Sequence, residues 1–223
     1  MWLEGMMIPT PLFRDRADAG EQLAEAVIRQ LTEIDPDLKR LKPIVYALPR
    51  GGLPIAAPLA QKLGCPLDII VAKKITRPEN PELALGAVTA DGEVLWGRHR
   101  LLRHQGRQTA QQEAQAKAQG QLSQMASACP QVDPTGGLAL VVDDGIATGM
   151  TMAVAVQALR QRNLAQIWIC VPVAPGELVE QMGRWCDRLV VLATPDPFMS
   201  VSRFYEAFPQ VEMSEAIAYL SGP

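Results

Sequence analysis

Apolar positions change their period several times along the chain, and each change marks an element. Between Asp18 and Ile34 the residues Leu23, Val27, Ile28 and Leu31 recur at three- and four-residue spacing. That spacing predicts one apolar helix face, and Pro36 ends it. IVYAL (44–48) is a short continuous apolar run that stops at PRGG. GLPIAAPLAQKLG (52–64) predicts a helix with Pro54 in its first turn and Gly64 as its stop. LDIIVAKK (67–74), LALVVDD (138–144), IWICVPV (167–173) and RLVVLAT (188–194) are further strand-like runs, with helices predicted over 151–163 and 176–185. Strands that are apolar throughout, alternating with helices, predict a parallel sheet covered on both faces. The expected architecture is an α/β, doubly wound sheet of five parallel strands, with right-handed crossovers.

Two stretches break the alternation. AVTADGEVLWG (87–97) predicts a hairpin turning at Asp91-Gly92. Residues 100–127 are rich in Gln and Ala and predict a helix lying on the surface; 130–137 is a linker. Residues 1–12 form a lead-in and 13–223 a single domain.

Composition excludes several function classes. At 48% hydrophobic and 20% charged, the 223 residues can bury a full core, and with 5% aromatics that core must be aliphatic. A net charge of −3 argues against broad nucleic-acid binding. The four cysteines form no CxxC and the two histidines, His99 and His104, are five apart, so reduced thiols and surface imidazoles are expected rather than a disulfide or soft-metal framework. No secretory pattern or membrane-length apolar run is visible, which predicts a cytoplasmic protein without membrane contact.

The candidate chemistry lies where the third strand ends, in VVDDGIATGMTM (141–152). Asp143 and Asp144 close the strand, and Gly145 to Met150 must turn tightly into a helix. Backbone N–H groups in such a turn, backed by a helix N-terminus, make an anion site. Two carboxylates beside it would repel a phosphate unless they accept hydrogen bonds from something else, and a ribose with two free hydroxyls meets that need. The segment misses the GxxxxGK[ST] nucleotide loop: Gly145 and Gly149 are one residue too close, and Met150 stands where the lysine belongs.

A hydrophobic strand, two acidic residues, a short loop and then Thr-Gly-x-Thr resembles the signature of the type I phosphoribosyltransferases, which bind phosphoribosyl pyrophosphate (PRPP). The resemblance implies that Asp143 and Asp144 hold the ribose hydroxyls and that Ala147, Thr148, Gly149, Met150 and Thr151 hold the 5′-phosphate. LPRGG (48–52) resembles the family's pyrophosphate loop. That implies pyrophosphate contacts from Pro49, Arg50, Gly51 and Gly52, a non-proline cis peptide at Pro49–Arg50, and glycines chosen for their dihedrals. AKKITRP (72–78) resembles the basic strand end and covering loop, so Lys73, Lys74 and Arg77 would neutralise the pyrophosphate, Lys74 would be catalytic, and 75–90 would be a lid within a small hood region.

Each of these has a plainer alternative: a strand-to-helix turn for LPRGG, a solvated charge cluster for the lysines and Arg77. The order FRDR (13–16), LPRGG, KKITRPENPELALGAV (73–88), DDGIATGMT and TPDPF…FYEAFPQV resembles a little-characterised bacterial phosphoribosyltransferase-like branch.

The resemblance further implies Mg²⁺ as cofactor, held mainly through PRPP and in part by Asp143 and Asp144, a nitrogen acceptor, and a homodimer. Ala147 stands where relatives acting on 6-oxopurines carry an aspartate, which argues against that specificity. Phe198, Phe204 and Tyr205 are candidates for stacking on a base, or equally for the core. A non-catalytic PRPP-binding regulator on the same fold is the alternative reading.

Overall fold

The computed structural model describes residues 11–33, 40–77, 80–97, 104–130 and 132–222, the side chains of 77, 80–83 and 104–105 excepted. The lead-in up to residue 10, His99, and the side chains of Arg77 and His104 thus lie outside the described residues. In chain order the elements are α1 (Arg16–Glu33), β1 (Pro43–Ala47), α2 (Gly52–Leu63), β2 (Leu67–Ile69), β3 (Ala72–Arg77), β4 (Asn80–Thr89) and β5 (Val94–Trp96). They continue with α3 (His104–Met125), β6 (Leu138–Val142), α4 (Met150–Arg160), β7 (Gln166–Val173), α5 (Gly176–Gly183), β8 (Arg188–Ala193) and α6 (Met213–Ser221).

β2-β1-β6-β7-β8 form a five-stranded parallel sheet, in register Val45 opposite Leu67 and Leu140, and Leu140 opposite Trp168. Alternate residues of each strand feed two separate cores. Val45, Ala47, Leu138, Leu140 and Val142 pack with α1, α2 and α6, while Ile44, Tyr46, Ala139 and Val141 pack with α4 and α5. Burial on both faces is the physical reason these strands are apolar without alternation.

The run 67–74 is not one strand. Ile70 and Val71 leave the sheet, and 72–77 starts a separate three-stranded antiparallel sheet, β3-β4-β5. The predicted hairpin at Asp91-Gly92 joins β4 to β5, with Gly92 at φ 98°. The expected lid, 75–90, is therefore mostly a strand pair; residues 78–79 lie outside the described residues.

The Gln/Ala-rich helix is more than a surface element. Ala110, Ala114 and Ala118 recur every four residues and are buried, and Ala110 and Ala114 pack on Ile75 and Val88 of the small sheet. Alanine at that spacing is the packing stripe, which a scan for large apolar residues overlooks. Sequence periodicity also missed α6 and the turn at Val201–Phe204, short pieces whose buried residues (Phe204, Ala216, Leu220) close the first core.

Candidate active site at the switch point between two strands

β1 leads outward to β2 and β6 leads the other way to β7, so the loops leaving β1 and β6 diverge over the carboxyl ends of adjacent strands. Such a crevice is where open α/β sheets bind ligands. Both sequence motifs meet there: LPRGG leaves β1 and DDGIATG leaves β6, with the Leu48 amide donating to the Val142 carbonyl at 2.9 Å.

The two loops touch so closely that side chains are excluded. A Cβ on Gly51 would lie 2.2 Å from Oδ2 of Asp144, and one on Gly52 would lie 2.7 Å from the Val142 carbonyl oxygen and 3.2 Å from the Asp143 Cα. The dihedral reason expected for these glycines is not the operative one. Gly51 has φ −60° and ψ −31°, ordinary helical values; close approach is what demands glycine. The peptide Pro49–Arg50 is cis, as the family resemblance implied.

On the β6 side, Gly149 is left-handed (φ 73°) as the residue before α4, and a Cβ there would meet the Trp185 ring at 2.8 Å. Only glycine suits both demands. Ala147 and Thr148 are exposed, Met150 and Thr151 half-buried. None of the amides from Ala147 to Thr151 finds a backbone acceptor among the described residues. This run of unspent donors at the positive end of α4 is suited to an anion.

Asp143 is half-buried and its Oδ1 accepts the Asp144 amide at 2.9 Å. Burial, and then the neighbouring charge of Asp144, push its pKa well above the usual carboxylate range. Burial likewise raises Asp144, against the opposing pull of Arg16.

Arg16 is the site residue that motif reasoning did not single out. Its Nε donates to Asp144 Oδ2 at 2.8 Å, its Nη1 to the Pro209 carbonyl at 2.6 Å, and its guanidinium lies 3.6 Å from the centre of the Phe208 ring. A cation in the first turn of a helix opposes the macrodipole, so its place there depends on the carboxylate it meets. The surrounding residues explain the FRDR signal. Asp15 caps α1 by accepting the Asp18 amide at 2.8 Å, and the Phe13 ring sits 5.4 Å from that of Tyr205. The Tyr205 hydroxyl in turn donates to the Asp144 carbonyl at 2.6 Å. The signal was present as FRDR; what it lacked was any sequence-level sign of its partner 128 residues away.

The remaining candidates divide. Lys73 is half-buried and its pKa is lowered by burial and then by Arg50, which places those two cations together. Lys74 is exposed and, by strand alternation, projects from the opposite face of β3. Phe204 is fully buried and Tyr205 nearly so, with Phe198 packed on Phe204 at 5.1 Å. Stacking on a base is therefore corrected to a core role for Phe204 and Tyr205: the rings that close the first core have no face left over. Among the described residues no group of three or more His, Cys, Asp or Glu could hold a metal ion. The two carboxylates are hard oxygen donors of the kind Mg²⁺ takes, so a cation here fits as one held mostly by substrate oxygens. No helix among the described residues is long and apolar enough to cross a membrane.

Asp143 yields a stability test. Its folded pKa lies above the ordinary 3.8, so the native state keeps the proton in the interval between the two values and carries an ionisation cost above it. Native stability at this residue is therefore highest at acid pH and declines as pH rises. Asp143→Asn keeps the acceptor for the Asp144 amide and removes the charge. It is expected to match the parent near pH 4 and to exceed it by about 1 kcal/mol or more at pH 8, read from urea midpoints. An Asn variant weaker than the parent at pH 8 contradicts the assignment.

Fold and site together define an α/β protein that presents a loop of unspent backbone amides and paired carboxylates at the strand switch point. The chain belongs to the phosphoribosyl transferase domain family, whose model matches residues 15–190. It is 34% identical over 215 residues to the Mycobacterium tuberculosis protein named "Putative phosphoribosyl transferase Rv0571c", covering 94% of this chain and 46% of that protein. The chain thus spans about half the length of the curated relatives it matches. TT1426 from Thermus thermophilus superposes with a TM-score of 0.77 at 31% identity, over 94% of this chain and 97% of that one. AQ2163 from Aquifex aeolicus shares the fold at 12% identity, with a TM-score of 0.51 over 86% of this chain and 85% of that one.

Proposed function

We propose that this domain is a magnesium-dependent phosphoribosyltransferase that moves the 5-phosphoribosyl group of PRPP to a nitrogen acceptor and releases pyrophosphate. The observation that carries the reading is the conjunction, in one crevice, of the unspent amides of Ala147 to Thr151 with the carboxylates of Asp143 and Asp144. A terminal phosphate suits the amides, and the ribose diol can donate to the second oxygen of each carboxylate, the first being taken by the Asp144 amide in Asp143 and by Arg16 in Asp144.

In the reaction the acceptor nitrogen forms a bond to ribose C1 as the C1–O bond to pyrophosphate breaks, the electron pair leaving on pyrophosphate and the acceptor's proton passing to solvent. The chain performs no covalent step. Its loops fix the ring by both ends, Arg50 and Lys73 offset the charge gathering on the leaving group, and the buried carboxylates favour the positive ring carbon of the transition state. Asp143 and Asp144 are the residues that would hold Mg²⁺, which would supply a hard positive charge to offset the leaving pyrophosphate.

Incubation with Mg²⁺, PRPP and a panel of nucleobases tests the reading. Pyrophosphate released with one base and not with the others is the expected result. PRPP binding without turnover across the panel would make the domain a PRPP-binding regulator, and absence of PRPP binding would remove the reading altogether.

A further inference from the structure

Helix α3 carries none of the motifs that identify the family, yet it borders the site. A cavity of about 530 Å³ lies between the pyrophosphate-like loop, β3, α3 and the start of α6. Arg50, Lys73 and Lys117 line it with no acidic side chain among the lining residues. None of the three has a carboxylate partner among the described residues. Three converging cations without counter-charge repel one another, and Lys73 already shows it in a pKa lowered by burial and by Arg50. Such a pocket gains most from a ligand that carries several negative charges close together.

Two details of α3 sharpen the ligand class. Gln121 lines the cavity and its side-chain oxygen is buried with no hydrogen-bond partner. With that oxygen closed off from solvent, the side-chain N–H groups of Gln121 and of Gln124 on the same wall are the donors this face can offer a phosphate oxygen. Gly120 lines the same wall, and nothing lies within 4 Å of where its Cβ would be. A glycine inside a helix destabilises it relative to alanine, and this one secures no close packing; what it leaves is room.

We propose that α3 supplies Lys117 and Gln121 as the far wall of a pocket for a condensed phosphate, with Lys117 the third cation beside Arg50 and Lys73. The inference rests on the phosphoribosyltransferase reading and adds to it a binding residue from outside the family motifs. It also gives the Gln-rich helix a role, which is to hold the diphosphate end from the side opposite the strand switch point.

Calorimetric titration of the whole chain with magnesium pyrophosphate, and separately with ribose 5-phosphate, tests the pocket. Lys117 is exposed on its helix, so Lys117→Gln is expected to fold normally. The variant should bind pyrophosphate about tenfold more weakly, as suits the loss of one charge-assisted contact. Lys117→Arg should recover most of the affinity, and ribose 5-phosphate should bind all three proteins alike. Unchanged pyrophosphate affinity in Lys117→Gln overturns the inference, as does an equal loss for both ligands. If the parent binds ribose 5-phosphate but not pyrophosphate, the pocket falls while the phosphate-loop reading stands. If it binds neither, both fall together.

Discussion

Arg16→Met is expected to lower stability by about 3–5 kcal/mol, the cost of leaving a buried carboxylate without its partner. For a chain of this size that is a fall in Tm of roughly 6–20 °C. The size of the effect follows from convergence: one guanidinium meets Asp144 Oδ2, the Pro209 carbonyl and the Phe208 ring, with only 10% of its side chain exposed. The loss should depend on pH in a defined direction. Arg16 is what holds the Asp144 pKa down against burial. Without it the folded-state pKa rises further above the unfolded one, so the defect is present above that range and fades as acid protonates the carboxylate in both states. Adding Asp144→Asn should recover much of the stability of Arg16→Met, because the charge that needed a partner is gone. Thermal melts of the four proteins of this cycle between pH 4 and 8 decide it. Additive losses would mean that the two side chains act independently, against the 2.8 Å contact.

Gly52→Ala is expected to reduce affinity for ribose 5-phosphate and PRPP by a hundredfold or more. The added methyl meets backbone on both sides, at the Val142 carbonyl and the Asp143 Cα, and neither can rotate out of the way. Relief requires the β1 and β6 loops to separate, and a displacement near 1 Å is enough to cost two orders of magnitude in a site that works by positioning. Gly51→Ala should behave differently. Its methyl meets the Asp144 carboxylate, a side chain that can turn, so the fold survives while the Asp144–Arg16 contact is lost. The pair of variants therefore separates loop spacing from carboxylate orientation, with calorimetry and melting temperatures as the readouts. Parent-like affinity in Gly52→Ala would show that the two loops need not lie this close for binding.

The loop between β6 and α4 and its surroundings differ in what a linear reading can reach. VVDDGIATGMT is legible because all its parts are local: a strand end, a turn and a helix start within a dozen residues. Lys73 and Lys74 are equivalent as letters. They are separated only by which face of β3 meets Arg50, and that follows from where the strand leaves the main sheet. The three aromatics near the C-terminus could be read as ligand surface or as core, and packing against Phe13 and within the first core settled it for Phe204 and Tyr205.

The sequence by itself determined the parallel α/β sheet, since uninterrupted Val, Ile and Leu runs can be buried only between two helical layers. It determined the acidic turn and both glycine-rich loops for the same reason of locality. Tertiary structure alone decided that Arg16 meets Asp144, that the small antiparallel sheet splits from the second strand, and that an alanine stripe brings α3 over Lys73. Those contacts join residues from 44 to 128 positions apart. Their energies come from burial and from charge placed in low dielectric, quantities that no local pattern of residues records.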